Sequence, residues 1–168
     1  MIESLYTLAS ASGEAPIEYP TWAEAAWYLL GIIFFLLLNA FFVASEFAIV
    51  KVRPSQIEGE LEKKPRRAGI SKRVVSNLDG YLSANQLGIT IASLALAFLG
   101  EPFIEKLVGP SLLKTGMGEE WIKIITFLTA MLSFTFLHVV IGELLPKSSA
   151  IRKSLATTLV ISRPLHLF

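Results

Sequence analysis

A glutamate follows directly on a long apolar run in the segment "GELLPK", residues 142–147. The preceding residues 124–141 contain no carboxylate, lysine or arginine. Pro146 has no N–H, so a helix through this segment leaves the carbonyl of Gly142 without its usual donor. The sequence therefore predicts a carbonyl without a helical partner beside the carboxylate of Glu143.

Two other polar residues, Ser45 and Asn85, interrupt apolar runs elsewhere in the chain. Three helices of alternating direction would bring these positions and Glu143 to comparable depths. A hydroxyl, a carboxamide oxygen, a carbonyl and a carboxylate are hard oxygen ligands, which suit Mg²⁺ or Ca²⁺ and not zinc or copper. We therefore predict a hard-cation site formed by Ser45, Asn85, Gly142 and Glu143.

Three segments are long and apolar enough to carry these residues across a bilayer, since a helical span needs about 20 apolar residues. Residues 25–45, 81–100 and 124–141 contain no carboxylate, lysine or arginine. The composition agrees, with 53% hydrophobic and 17% charged residues. We predict an all-α membrane protein with three transmembrane helices per protomer.

Basic residues are concentrated between the first two spans and after the third. Residues 51–73 contain eight lysines and arginines, whereas residues 1–24 contain four glutamates and no basic residue. By the positive-inside rule, the amino terminus is outside and the carboxyl terminus is cytoplasmic. The prediction is a multi-pass protein of the plasma membrane, with residues 1–24 as an extracellular or periplasmic segment.

The connecting segments differ in character. Residues 51–80 mix charged and apolar positions, which is typical of short amphipathic helices in a belt at the cytoplasmic interface. Residues 101–120 are expected to rest on the outer surface, with turns at Gly109-Pro110 and at residues 116–118. Residues 154–168 are apolar but too short to span. Residues 25–168 thus form one predicted transmembrane domain that includes the belt.

Each site residue also has a simpler interpretation. Glu143 could pair with Lys147 four residues later at a helix end. Ser45 and Asn85 could form hydrogen bonds between helices, which is the commonest use of small polar residues in spans. The cation site is favoured because several such residues converge, and not by any one of them.

Two further ionisable groups, His138 and Glu46, stay without an assigned role. His138 is expected to be packed or water-facing, and Glu46 could pair with a belt residue such as Arg53. An intramembrane hydrolase using His138 and Glu143 is weakly supported, because no catalytic signature such as HExxH or GxSxG accompanies them. With no cysteine and a net charge of +1, nothing indicates a thiolate metal site or a nucleic-acid partner. We expect no enzyme activity.

Three motifs in order resemble the transmembrane domain of the CorC/CNNM family of magnesium transporters. They are "NAFFVASEFAIVKVRPSQIE", "LSANQLGITIASLALAFLGEP" and "HVVIGELLPKSSAIR", and the resemblance covers residues 25–168. It implies a homodimer of three-helix protomers with a juxtamembrane belt, which moves Mg²⁺ outward in exchange for Na⁺. The ion-site residues of the family fall on Ser45, Asn85, Gly142 and Glu143.

Members of this family continue into an ATP-binding CBS-pair module, which is expected in the full-length protein and is absent from this chain. The chain is therefore expected to be the isolated transmembrane domain. A membrane module that binds Mg²⁺ for sensing or anchoring, without transport, is the alternative function.

Overall fold

A computed structural model describes residues 18–168 of the chain. Residues 1–17 of the predicted outer segment 1–24 lie outside the described residues. Within the described part, all regular elements are helical. In chain order they are α1 (Trp22–Lys51), α2 (Pro54–Glu58), α3 (Pro65–Ser76), α4 (Leu78–Leu113), α5 (Glu119–Leu137), a π-helical segment (His138–Leu144), α6 (Leu145–Arg152) and α7 (Ser154–Leu167).

Three of these helices are long and apolar enough to cross a membrane: α1, α4 and the continuous helix Glu119–Arg152. The predicted all-α class and the three membrane-crossing helices are confirmed. The α1 helix begins after Thr21, whose hydroxyl accepts a hydrogen bond from the Glu24 N–H in a capping box. At 30 residues, α1 is about 45 Å long, longer than the apolar core of a bilayer requires.

The connection between the second and third spans is mostly helical. The α4 helix continues to Leu113 through Pro102 and Pro110, so the predicted turn at Gly109-Pro110 is wrong. Gly109 and Pro110 are buried, and each proline inside the helix removes one helical hydrogen bond. The other predicted turn, at residues 116–118, is confirmed: the chain turns around Gly116, whose φ of 80° suits glycine.

A belt of short helices, α2, α3 and α7, lies around one end of the bundle, which we call the belt end. The apolar side chains of Val52, Ile57, Ala68 and Leu159 form its core. The amphipathic character predicted for residues 51–80 is confirmed in α3, which buries one face and exposes its lysines and arginines. The 14-residue α7 packs against α1 and α3 and is not among the membrane-crossing helices.

The contact between α1 and α4 sets the register of the two helices. The ring of Phe42 fills the space beside Gly88, where a Cβ would lie 2.5 Å from the ring carbons. The two helices run in opposite directions, because α1 ends and α4 begins at the belt end. Ser45 on α1 and Asn85 on α4 therefore each lie three residues closer to the belt end than this contact.

Candidate cation site

Ser45 and Asn85 lie at the same depth in the bundle. Ser45 is about 9 Å along the axis from the last residue of α1, and Asn85 is about 10 Å from the first residue of α4. Both side chains are fully buried. The structure thus places these two predicted ligands on facing helices at one level.

Asn85 is buried without any hydrogen-bond partner. Its side chain has 0% exposure, and neither Oδ1 nor Nδ2 has a partner. Among the described residues of the three membrane-crossing helices, no other buried side-chain polar atom lacks a partner. A buried carboxamide without partners is unfavourable by roughly 1–3 kcal/mol, so this position is costly unless a ligand completes it.

Ser45 keeps lone pairs for a ligand. Its hydroxyl donates to the carbonyl of Phe41 over 2.7 Å, which is the common bond of a helical serine to the preceding turn. Because the hydroxyl has a single hydrogen, the oxygen can still accept from a donor or bind a cation. The predicted role of Ser45 as a neutral oxygen ligand is compatible with this geometry.

Gly142 lies in the π-helical segment directly before α6, and Pro146 is in the first turn of α6. The Leu145 N–H donates to the carbonyl of Val140, five residues earlier, as a π-helix requires. Single π-helical turns inside α-helices occur frequently at functional sites. Because Pro146 has no N–H, the sequence predicts that the Gly142 carbonyl lacks a donor within its own helix. In the structure a donor from another helix takes that place: Asn39 Nδ2, at 3.0 Å.

Asn39 belongs to a second group of polar side chains that the sequence interpretation had not connected. The hydroxyl of Ser93 lies 3.4 Å from Asn39 Oδ1 and 3.1 Å from His138 Nε2. This group joins α1, α4 and the π-helical segment, and Asn39 is about 9 Å farther from the belt end than Ser45. We call Asn39, Ser93 and His138 the inner polar layer.

The partners of His138 agree with the packed interpretation. Its side chain is half-buried and hydrogen-bonded to Ser93, one of the polar residues of the second span. The sequence does contain one sign of this layer: Asn39 and Ser93 are polar residues within two apolar segments. Antiparallel helices in the register of Phe42 and Gly88 bring both residues to one depth, but the sequence does not provide that register.

The carboxylates near the site belong to Glu143 and Glu46, and both are partly buried. Glu46 lies within electrostatic reach of Lys147 and Glu143. Within residues 18–168 neither glutamate forms an ion pair. The simpler interpretations, a Glu143–Lys147 pair and a Glu46–Arg53 pair, are therefore not found in this part of the chain. The ammonium of Lys147 lies instead 4.5 Å from the centre of the Phe47 ring.

An open groove leads along the surface beside the site. It is lined by Glu46, Leu82, Ser83, Gln86, Leu87 and Thr90. Within the described residues, no three histidine or acidic side chains are grouped so that they could hold a metal ion. A cation at Ser45, Asn85 and the Gly142-Glu143 turn would therefore be held mainly by neutral oxygens, with one carboxylate.

The fold and this arrangement define a class of protein: a three-span helical membrane domain with a peripheral belt and a polar centre between the spans. Residues 30–168 match the family described as the Cyclin M transmembrane N-terminal domain, CNNM. The chain belongs to this family, which confirms the resemblance seen in the three sequence motifs.

Three curated relatives are similar to most of this chain. The chain is 47% identical over 140 residues to the UPF0053 protein YugS of Bacillus subtilis. The matched residues make up 83% of this chain and 33% of YugS. It is 42% identical over 140 residues to YhdP of the same organism, with 83% and 32% covered. The UPF0053 protein MT1890 of Mycobacterium tuberculosis is 36% identical over 117 residues, with 69% and 26% covered. The chain thus spans about a third of the length of these relatives or less.

Proposed function

We propose that this domain binds Mg²⁺ between its three membrane-crossing helices and exports it in exchange for Na⁺. The ligands are the oxygens of Ser45, Asn85, Gly142 and Glu143. The observation that carries the proposal is the complete burial of Asn85 without a hydrogen-bond partner, at the depth of Ser45.

The ligand set fits the chemistry of a transported hard cation. Mg²⁺ loses its water reluctantly, so a site must offer well-placed oxygens and charge to replace hydration. One carboxylate among neutral oxygens supplies charge without binding the ion too tightly for release. Glu46, which lines the adjacent groove, adds a second negative charge that attracts cations toward the site.

We further propose the assembly and orientation that the family resemblance implies. The protein is a homodimer of the plasma membrane, with its amino terminus outside and the belt at the cytoplasmic face. The basic residues of α3 and its flanks, which are exposed, support this orientation. In the full-length protein an ATP-binding CBS-pair module follows.

Mass measurement of the domain in nanodiscs tests the dimer, and a transport-active monomer would contradict it.

Ion flux in proteoliposomes tests the proposed function. The domain is reconstituted with a Mg²⁺-sensitive dye, and Mg²⁺ movement is followed with an opposing Na⁺ gradient or with an equal choline gradient. We expect flux that depends on Na⁺ and is lost in Asn85→Ala. Binding measured by calorimetry without flux would support the sensing or anchoring module instead, and the absence of both binding and flux would contradict the proposal.

A further inference from the structure

Asn39 of the inner polar layer donates a hydrogen bond to a carbonyl that is also a proposed ligand of the cation. Asn39 Nδ2 donates to the Gly142 carbonyl over 3.0 Å, and both groups are buried. Under the function proposed above, the same carbonyl is a ligand of the cation. The carbonyl oxygen has two lone pairs, but the positive end of the amide N–H and a cation repel each other when both lie against one oxygen, so each weakens the binding of the other.

The orientation of the Asn39 amide is set by its surroundings. The Gly142 carbonyl can only accept, so the Nδ2 end of the side chain must face it. The Oδ1 end then faces the hydroxyl of Ser93, at 3.4 Å. The shortest hydrogen bond of this hydroxyl is to the carbonyl of Ile89, at 2.8 Å, and it also lies 3.1 Å from His138 Nε2, so Ser93 is held in place beside the amide, on the side opposite to Gly142.

The position of Gly142 also depends on this contact. A Cβ at residue 142 would lie 2.9 Å from Asn39 Nδ2 and 3.3 Å from a ring carbon of His138. A side chain at residue 142 would therefore push the Asn39 amide away from the carbonyl that it now reaches. The hydrogen bond and the glycine together fix the π-helical turn against α1.

We propose that Asn39 is a positioning residue of the cation site: its amide holds the Gly142 carbonyl while no cation is bound and releases it when the cation binds. The hydrogen bond satisfies a buried carbonyl that Pro146 leaves without its α-helical donor. It therefore stabilises the cation-free state selectively and lowers the affinity of the site. This inference rests on the proposed function.

The sign of the effect distinguishes this role from simple packing. In Asn39→Leu the carbonyl has no donor in the cation-free state, whereas in the bound state the cation still satisfies it. Mg²⁺ should therefore bind about tenfold more tightly, comparable to the loss of one buried neutral hydrogen bond in the free state. The melting temperature without Mg²⁺ should fall, and its rise on adding saturating Mg²⁺ should exceed that of the unchanged domain.

The experiment compares Mg²⁺ calorimetry and thermal unfolding for the unchanged domain, Asn39→Leu, Ser93→Ala and a matched control. Thr126→Val is the control, because Thr126 is buried in α5 and its hydroxyl bonds only to carbonyls of its own helix. We expect unchanged Mg²⁺ affinity for Thr126→Val. Ser93→Ala removes the hydroxyl that faces Asn39 Oδ1 and so loosens the amide. It should tighten binding by a smaller factor, which also tests the proposal if Asn39→Leu does not fold.

The outcomes separate this inference from the proposed function. Unchanged or weaker Mg²⁺ binding in Asn39→Leu, or in Ser93→Ala where Asn39→Leu does not fold, would overturn the role of Asn39 and leave the cation site standing. Tighter binding in Thr126→Val by the same factor would also overturn the role of Asn39. Removal of any buried polar group in the bundle would then have the same effect on Mg²⁺ affinity. Absence of Mg²⁺ binding by the unchanged domain would overturn both.

Discussion

The ring of Phe42 occupies the space beside Gly88, with three ring carbons 2.5 Å from where a Cβ would stand. This contact brings α1 and α4 close together one helical turn from Ser45 and Asn85. The depth at which the two predicted ligands face each other therefore depends on a glycine that contributes no ligand itself.

Replacement of Gly88 by alanine should separate the two helices. Overpacking of this kind costs roughly 1–3 kcal/mol, so we expect a lower melting temperature in detergent and weaker Mg²⁺ binding. Gly69→Ala is the control, because Gly69 lies within helix α3 and nothing surrounds the position of its Cβ within 4 Å. That variant should be neutral or slightly stabilised. Equal melting temperatures for the two variants would contradict the packing argument.

Replacement of Asn85 by leucine should improve stability while abolishing function. The carboxamide is buried with no partner, so an apolar side chain of similar size should stabilise the cation-free domain by about 1 kcal/mol or more. Mg²⁺ binding and flux should disappear. Thermal unfolding without Mg²⁺ measures the first effect and calorimetry the second. A destabilised Asn85→Leu would show that the carboxamide has a structural partner after all.

Removal of the charge at Glu143 should weaken Mg²⁺ binding. Glu143→Gln keeps the shape of the side chain, so affinity should fall tenfold or more, which is about 1.4 kcal/mol per factor of ten. Glu62→Gln, an exposed belt carboxylate, is the matched control and should leave affinity unchanged. If calorimetry gives the same affinity for both variants, the ion site lies elsewhere and the 142–147 segment is only a helix end.

Replacement of Pro146 by alanine tests the main chain rather than a side chain. The new N–H can donate to the Gly142 carbonyl and favours continuation of the α-helix through the π-helical segment. We therefore expect weaker Mg²⁺ binding, although the proline provides no ligand. Unaltered affinity in a folded Pro146→Ala would show that the Gly142 carbonyl is not a ligand.

The orientation in the membrane is tested with single cysteines in a chain that has none of its own. Lys64 lies in the belt and Thr115 in the turn between α4 and α5 at the opposite end of the bundle. In intact cells a membrane-impermeant maleimide should label Thr115→Cys and spare Lys64→Cys, because the basic belt is cytoplasmic. The reverse pattern would invert the topology.

The spans, the belt and the helical class could be predicted from the sequence because they depend on local composition. Long runs without charge fix the membrane-crossing helices, and alternating charged and apolar residues fix α3. The turn at Gly109-Pro110 was predicted wrongly, since local proline and glycine preferences were outweighed by packing of the long α4 helix. The four candidate ligands were identified from residue type and from family resemblance.

The tertiary structure alone decided which polar groups meet. The α1 helix is apolar on nearly all sides, so its sequence does not indicate which face turns inward, and lipid and protein interior are equally apolar. The bond between Asn39 and Gly142 and the unpaired state of Asn85 depend on helix rotation and register. Those are set by close contacts such as Phe42 with Gly88, between residues far apart in the chain, which no local pattern in the sequence specifies.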